Sequence, residues 1–216
     1  MSRPLNLVVI ISGNGSNLQS IIDAIECGQV NAQISAVISN NPDAFGLSRA
    51  KKHGLVQQVV DHHCFDGREA FDQSLLETVN RYRPDFIILA GFMRILGSAF
   101  IQAYKDKILN IHPSILPDYK GLNTHQRAID NRETEHGVSI HLVTEGLDDG
   151  PVLLRGRYPV AAQDTVEDLQ RKGHALEHQM YPRLIQWLCD DELKIRPDEI
   201  TFKQQLLCQP IEFNHV

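Results

Sequence analysis

This chain is short of several things that would settle its class at once. Cysteine is scarce, with only Cys27, Cys64, Cys189 and Cys208 among 216 residues. They stand far apart and form no CxxC pair, which argues against a zinc knuckle or a disulfide framework and suits a reducing, cytoplasmic setting. No apolar run approaches the length of a membrane span, and no basic segment leads into an apolar one near Met1. Neither a membrane protein nor a secreted one is expected. Positive charge is in deficit too: the formal net charge is −6, which argues against broad binding to nucleic acid or to an anionic membrane. HExxH-type spacing is missing, so no metal is expected. No internal repeat or low-complexity linker interrupts the chain. What is present is ordinary for a soluble globular protein, 42% hydrophobic and 22% charged. The length suits a single domain over residues 1–216, with a tail from about Arg196 that reads as irregular.

Apolar runs rich in β-branched residues alternate with stretches of helical spacing. Leu5 to Ile11, Ile34 to Ile38, Val56 to Val60, Asp85 to Ala90 and Ile108 to Ile111 read as strands. Val138, Ile140 and Leu142 alternate with Ser139 and His141, an imperfect strand with one face accessible, and Val152 to Val160 is a further strand. Leu18 to Ile25, Phe45 to His53, Arg68 to Tyr82, Ser98 to Tyr104, Gln126 to Asn131 and Thr165 to Leu188 read as helices, the last opened by Asp164 and Thr165 as cap candidates and kinked at Pro182. The expected fold is therefore α/β: a mostly parallel, Rossmann-like doubly wound sheet with helices on both faces. Ligands in such folds bind beyond the C-terminal strand ends. The loops at Ser12, Gly91, His112 and Asp148 converge there if their strands are parallel neighbours.

Two segments carry chemistry. Ile108 to His125 places an amide, Asn110, and an imidazole, His112, two residues apart at the end of an apolar run, followed by Pro113 and Pro117. An amide donor can stabilise a developing oxyanion, and an imidazole moves protons near neutral pH. Asp148, in a turn after a strand, is the candidate carboxylate partner that would fix the His112 tautomer and raise its pKa; Asp149 is its rival. No nucleophile elbow surrounds Ser114, so direct attack by a substrate amine fits better than covalent catalysis. The second segment, Ser12 to Asn17 (SGNGSN), joins a buried strand to a helix, so its N–H groups can face an anion. Leu18 stands where a dinucleotide loop needs its third glycine, and no Gly-Lys-Ser/Thr follows, so a monophosphate ester is the better ligand. The plainer reading is a tight turn with a polar cap. His62, His63, His136 and His141 read as packed histidines, and His125 stays open.

SGNGSN, AGFMRIL (Ala90 to Leu96), LNIHPSILP (Leu109 to Pro117), HGVSIH (His136 to His141) and LDDGP (Leu147 to Pro151) together resemble the phosphoribosylglycinamide formyltransferases, folate-dependent enzymes of purine biosynthesis. The likeness runs in order from about residue 5 to about residue 190. It implies attack by the amine of glycinamide ribonucleotide on the formyl carbon of 10-formyltetrahydrofolate. Asn110 and His112 would stabilise the oxyanion, with His112 also donating a proton and Asp148 organising its transfer. Gly15, Ser16 and Asn17 would hold the ribonucleotide phosphate, and Glu177 would contact the ribonucleotide. Arg68, Met93, Arg94, Ile95 and Leu96 would hold the folate together with Asn110 and the loop Thr144, Glu145, Gly146, Leu147 and Asp148. The partners implied are these small molecules, with no nucleic acid and no membrane, in a monomer or homodimer. Without the likeness, Met93 to Leu96 would be core and Arg68 a solvated helix start.

Some positions depart from the family pattern. Lys120 stands where Pro often precedes the Gly, Asn123 where His is common, Asp149 where a small residue is frequent, and His174 where a Gln is expected near the ribonucleotide. The nearest rival is a formyltetrahydrofolate deformylase, in which water replaces the amine. That enzyme usually carries an extra N-terminal domain and lacks the phosphate loop. A methionyl-tRNA formyltransferase would need a further RNA-binding domain, and a non-catalytic metabolite sensor would not need Asn110, His112 and Asp148 together.

Overall fold

Residues 3–197 and 199–213 are described by the computed structural model. The aliphatic runs become one eight-stranded sheet. In chain order its strands are β1 (Leu5–Ile11), β2 (Ala32–Ser39), β3 (Gln57–Val59), β4 (Phe86–Leu89), β5 (Ile108–His112), β6 (Glu135–Leu142), β7 (Val152–Pro159) and, after three others, β11 (Ile211–Phe213). The spatial order is β11-β7-β6-β5-β4-β1-β2-β3. Strands β3, β2, β1, β4 and β5 all run parallel. Strand β6 is antiparallel to both its neighbours.

The two-residue period of β1 divides the core. Leu7, Val9 and Ile11 pack with Leu18 and Ile21 of α1 (Ser16–Glu26), Leu47 of α2 (Phe45–Lys52) and the inner face of α6 (Val166–Cys189). Val8 and Ile10 pack on the other face, with Phe71 and Leu75 of α3 (Arg68–Asn80) and Phe100 of α4 (Ser98–Ala103). Alternate side chains of a strand point to opposite faces, so a sheet covered on both sides needs such continuous apolar runs. The doubly wound architecture is as expected.

Thr165 and Asp168 form a reciprocal capping box that starts α6, and the helix is continuous through Pro182. Tyr181 of α6 is fully buried and donates to the carbonyls of Leu89 (2.8 Å) and Leu109 (3.2 Å), fixing the helix to β4 and β5 where the site is built.

Two expectations are corrected. From His136 onward every residue of β6 is buried, because helices and loops cover both faces of that half of the sheet. The tail beyond Arg196 is not irregular. β8 (Leu193–Arg196), β9 (Glu199–Phe202) and β10 (Gln205–Leu206) form a small antiparallel sheet, with Trp187 against Phe202, and β11 joins the main sheet beside β7. The strands there are only two to four residues long, too short for a two-residue period to register in sequence.

Candidate active site

Asn110 and His112 sit two residues apart on β5 and therefore share a face. Register places Asn110 opposite His141 and His112 opposite Ser139 on β6. Asp148 reaches the same face by another route than expected. Its strand, β6, runs antiparallel to β5, so the loop after it starts at the far end of the sheet, where Leu142 pairs with Leu109. The segment then folds back along the sheet, and Asp148 Oδ2 lies 3.4 Å from His112 Nδ1. The loops at Ser12, Gly91 and His112 do follow parallel neighbours; the Asp148 loop does not.

Asp148 adopts φ 48°, in the left-handed region that Asp tolerates better than most residues. Gly121 N donates to its Oδ2 at 2.9 Å, and His141 Nε2 lies 3.6 Å from its Oδ1. Burial pushes this carboxyl up, but a protonated His141, the Gly121 N–H and the His112 charge outweigh it and hold the group below the ordinary carboxylate range. Asp149 is exposed and pairs with Lys120 instead, so Asp148 is the carboxylate at His112.

His112 Nε2 donates to the Tyr119 carbonyl at 2.9 Å, which leaves Nδ1 facing Asp148. Burial lowers the His112 pKa, and the Tyr119 bond and the Asp148 charge oppose it without overcoming it. The Asp148 charge does raise the His112 pKa, as expected, but desolvation of the imidazolium is the larger effect and the net shift is downward.

His141 joins the site rather than packing apart from it. Its Nδ1 donates to the Leu142 carbonyl at 2.9 Å, so Nε2 can accept from Asn110 Nδ2 at 3.1 Å. That bond aims the amide and leaves its second N–H free for a substrate oxygen. Of the other histidines, His136 is buried against Tyr119, His125 and Tyr158; His62 is half-buried on Asn40; His63 is exposed. His125 is pushed down to about 4, chiefly by burial.

The glycine loop is held from below. Gly15, at φ 73°, has no room for a side chain, since a Cβ would lie 2.7 Å from Gly46 Cα. No side chain caps α1, so the N–H groups of its first turn can face an anion. Arg49 braces the loop, donating to Asn14 O at 2.9 Å and to Asn14 Oδ1 at 3.0 Å. Asn17 is buried and donates to Glu177 Oε2 at 2.7 Å, which brings the far helix to the loop. Burial raises the Glu177 pKa.

The segment after β4 splits by residue. Met93 and Ile95 are 69% and 56% exposed, while Leu96 is buried and Arg94 lies 4.9 Å over the Phe71 ring. The core reading therefore holds for Leu96 alone. Arg68 donates to the Leu96 carbonyl at 2.6 Å and lies 3.4 Å from Asp72, so it is anchored to this segment. Ser12 Oγ accepts from Met93 N at 2.9 Å and donates to Asn40 Oδ1 at 2.6 Å, tying the glycine loop to the same segment. Thr144, Glu145, Gly146 and Leu147 are exposed; Leu147 flanks Gly121, and Glu145 accepts from Gln102 at 3.0 Å. Three contributors escaped sequence reasoning: His141, Arg49 and the Ser12–Asn40 pair. Only the antiparallel register of β6 puts His141 opposite Asn110, and no local pattern carries that information.

The chain belongs to the formyl transferase family, whose model matches residues 5–185. Within it, the chain is 48% identical over 203 residues to the phosphoribosylglycinamide formyltransferase of Escherichia coli K12, covering 94% of this chain and 96% of that protein. It is 41% identical over 190 residues to the enzyme of the same name from Haemophilus influenzae, covering 88% and 90%. The solved phosphoribosylglycinamide formyltransferase of Coxiella burnetii superposes with a TM-score of 0.92 at 45% identity, covering 98% of this chain and all of that one.

Proposed function

We propose that this chain transfers the formyl group of 10-formyltetrahydrofolate to the amine of 5'-phosphoribosylglycinamide, giving the N-formyl ribonucleotide and tetrahydrofolate in purine synthesis. The observation that carries the reading is the meeting of Asn110, His112 and Asp148 on one sheet face, with Asp148 3.4 Å from His112.

The amine lone pair attacks the formyl carbon, and the carbonyl π electrons move onto oxygen. The free N–H of Asn110 stabilises that oxyanion, and the charge on His112 does so once the ring has taken up the amine proton. When the tetrahedral centre collapses, the bond to folate N10 breaks, and the proton lost by the amine ends on N10. His112 relays it at Nδ1, the ring nitrogen that Asp148 faces, since Nε2 is taken up by Tyr119. Asp148 stabilises the transient imidazolium. No metal and no covalent enzyme intermediate are needed. Holding the two reactants in line is worth roughly 7–11 kcal/mol, and a well-placed oxyanion donor adds about 3 kcal/mol.

Gly15, Ser16, Asn17 and the α1 N-terminus take the ribonucleotide phosphate, with Glu177 beside them. Exposed Met93 and Ile95 offer apolar walls for a flat pterin, with Leu96, Arg94, Thr144, Glu145, Gly146 and Leu147 completing the folate side. Arg68 suits a carboxylate of the folate tail. Four free, widely spaced cysteines support a reducing, cytoplasmic setting. Among the described residues no helix is long and apolar enough to cross a membrane. The acidic charge favours small-molecule partners over nucleic acid, and the enzyme is read as a monomer or homodimer.

The experiment is tetrahydrofolate formation from 10-formyltetrahydrofolate with and without the ribonucleotide. Formation only with the ribonucleotide is expected. Equal rates would mean that water is the acceptor, as in a deformylase; no turnover but tight ribonucleotide binding would mean a sensor.

A further inference from the structure

Lys120 and Asp149 lie on different loops and meet as an ion pair. Lys120 belongs to the proline loop that follows His112, and Asp149 directly follows Asp148. One residue along, Gly121 N donates to Asp148 Oδ2 at 2.9 Å. Residues 120–121 and 148–149 thus form two adjacent rungs between the loops. Residues 144–149 are tied to their neighbours through the side chains of Glu145, Asp148 and Asp149. A cavity of about 290 Å³ lies beside this loop, lined by Leu116, Pro117, Lys120, Asp148, Asp149 and Arg155 among others. Arg127 Nη1 holds the Lys120 carbonyl at 2.7 Å, so the backbone that carries the lysine is anchored.

We propose that Lys120 and Asp149 are positioning residues: their ion pair latches the proline loop to the catalytic loop and so holds Asp148 against His112. The inference rests on the formyl-transfer reading for its kinetic consequence, but not for its structural one. The lysine is 36% exposed and the aspartate 62% exposed, so the pair is worth little to global stability. Its effect is local. Asp148 holds a left-handed conformation at the edge of a cavity, and a loosened Gly121 rung lets it leave the imidazole.

The test compares Lys120→Gln, Asp149→Asn, the double neutral variant and the swapped pair Lys120→Asp/Asp149→Lys. Each single variant should lower kcat roughly fivefold with both KM values held within about twofold, the scale of one exposed ion pair. The double neutral variant should cost no more than either single one, and the swap should recover most of the loss. Unchanged kcat in the single variants, additive losses in the double, or a swap no better than the singles would overturn the proposal.

A second readout needs no turnover: the pKa of His112 followed by nitrogen-15 NMR. His112 is faced by Asp148, His141 and Arg127, with His125 and His136 further off, and none of these is altered. Acting as bare charges, the two residues have opposite effects: losing Lys120 raises the His112 pKa and losing Asp149 lowers it. Acting as a latch on Asp148, they lower it alike. Opposite signs overturn the proposal even if kcat falls. Should the wild-type protein form no product, the functional reading fails while this titration still decides the latch.

Discussion

The two halves of the site are built on different principles. The side proposed to take the ribonucleotide is made of backbone and buried contacts: Gly15 fits only as glycine, Asn17 and Glu177 are buried partners, and the first turn of α1 lies uncapped. The catalytic side is made of side chains on loops. Asp148 reaches His112 from a loop that folds back from the far end of an antiparallel strand, and its ties run through carboxylates. The difference teaches where each half is fragile. Backbone-made sites fail through sterics, and side-chain-made sites fail through charge.

The largest expected effect lies on the catalytic side. Asp148→Asn keeps the left-handed backbone, since Asn tolerates it as well, and removes the charge beside Nδ1; kcat should fall roughly a thousandfold. Asp149→Asn should cost less than about tenfold. Steady-state kinetics of the two variants side by side check this, and the reverse ranking would reassign the carboxylate. Asn110→Ala removes an oxyanion donor and should lower kcat by about a hundredfold or more, with KM little changed. A loss confined to KM would place Asn110 in ground-state binding.

On the ribonucleotide side, Gly15→Ala meets both an unfavourable φ and the Gly46 backbone. It should raise the KM for the ribonucleotide by about tenfold or more while the folate KM stays put, with a loss of roughly 1–3 kcal/mol of stability. Equal effects on both substrates would break the division between the halves.

The effect with least bearing on catalysis is a pH dependence of stability. His125 is pushed down to about 4 by burial. The folded state therefore binds fewer protons than the unfolded chain below pH 6.5, and stability should fall as pH drops from there towards about 4, by roughly 3 kcal/mol at most. Urea titrations of wild type and His125→Gln across that range should show a shallower slope in the variant. Identical slopes would remove His125 from the account.

The parallel half of this molecule was legible in sequence because buried parallel strands leave continuous aliphatic runs, as in Leu5–Ile11, and the helices between them carry one apolar face. Asn110 and His112 were legible for the same reason, being local to one strand end. The contribution of His141 was not, because it depends on register between β5 and β6. Arg49 carries no local signal of its role, which lies in its bonds to Asn14 on a separate loop. The upward pull of Asp148 on His112 was legible, but the larger downward effect of burial was not, because sequence names the neighbouring charge and not the depth of burial.

One labelling experiment bears most directly on the central claim. With carbon-13 in the formyl group of 10-formyltetrahydrofolate and the ribonucleotide present, the account predicts that the label appears on the ribonucleotide amine as a formamide, one per tetrahydrofolate released. Label recovered as free formate, with the ribonucleotide unmodified, would contradict it.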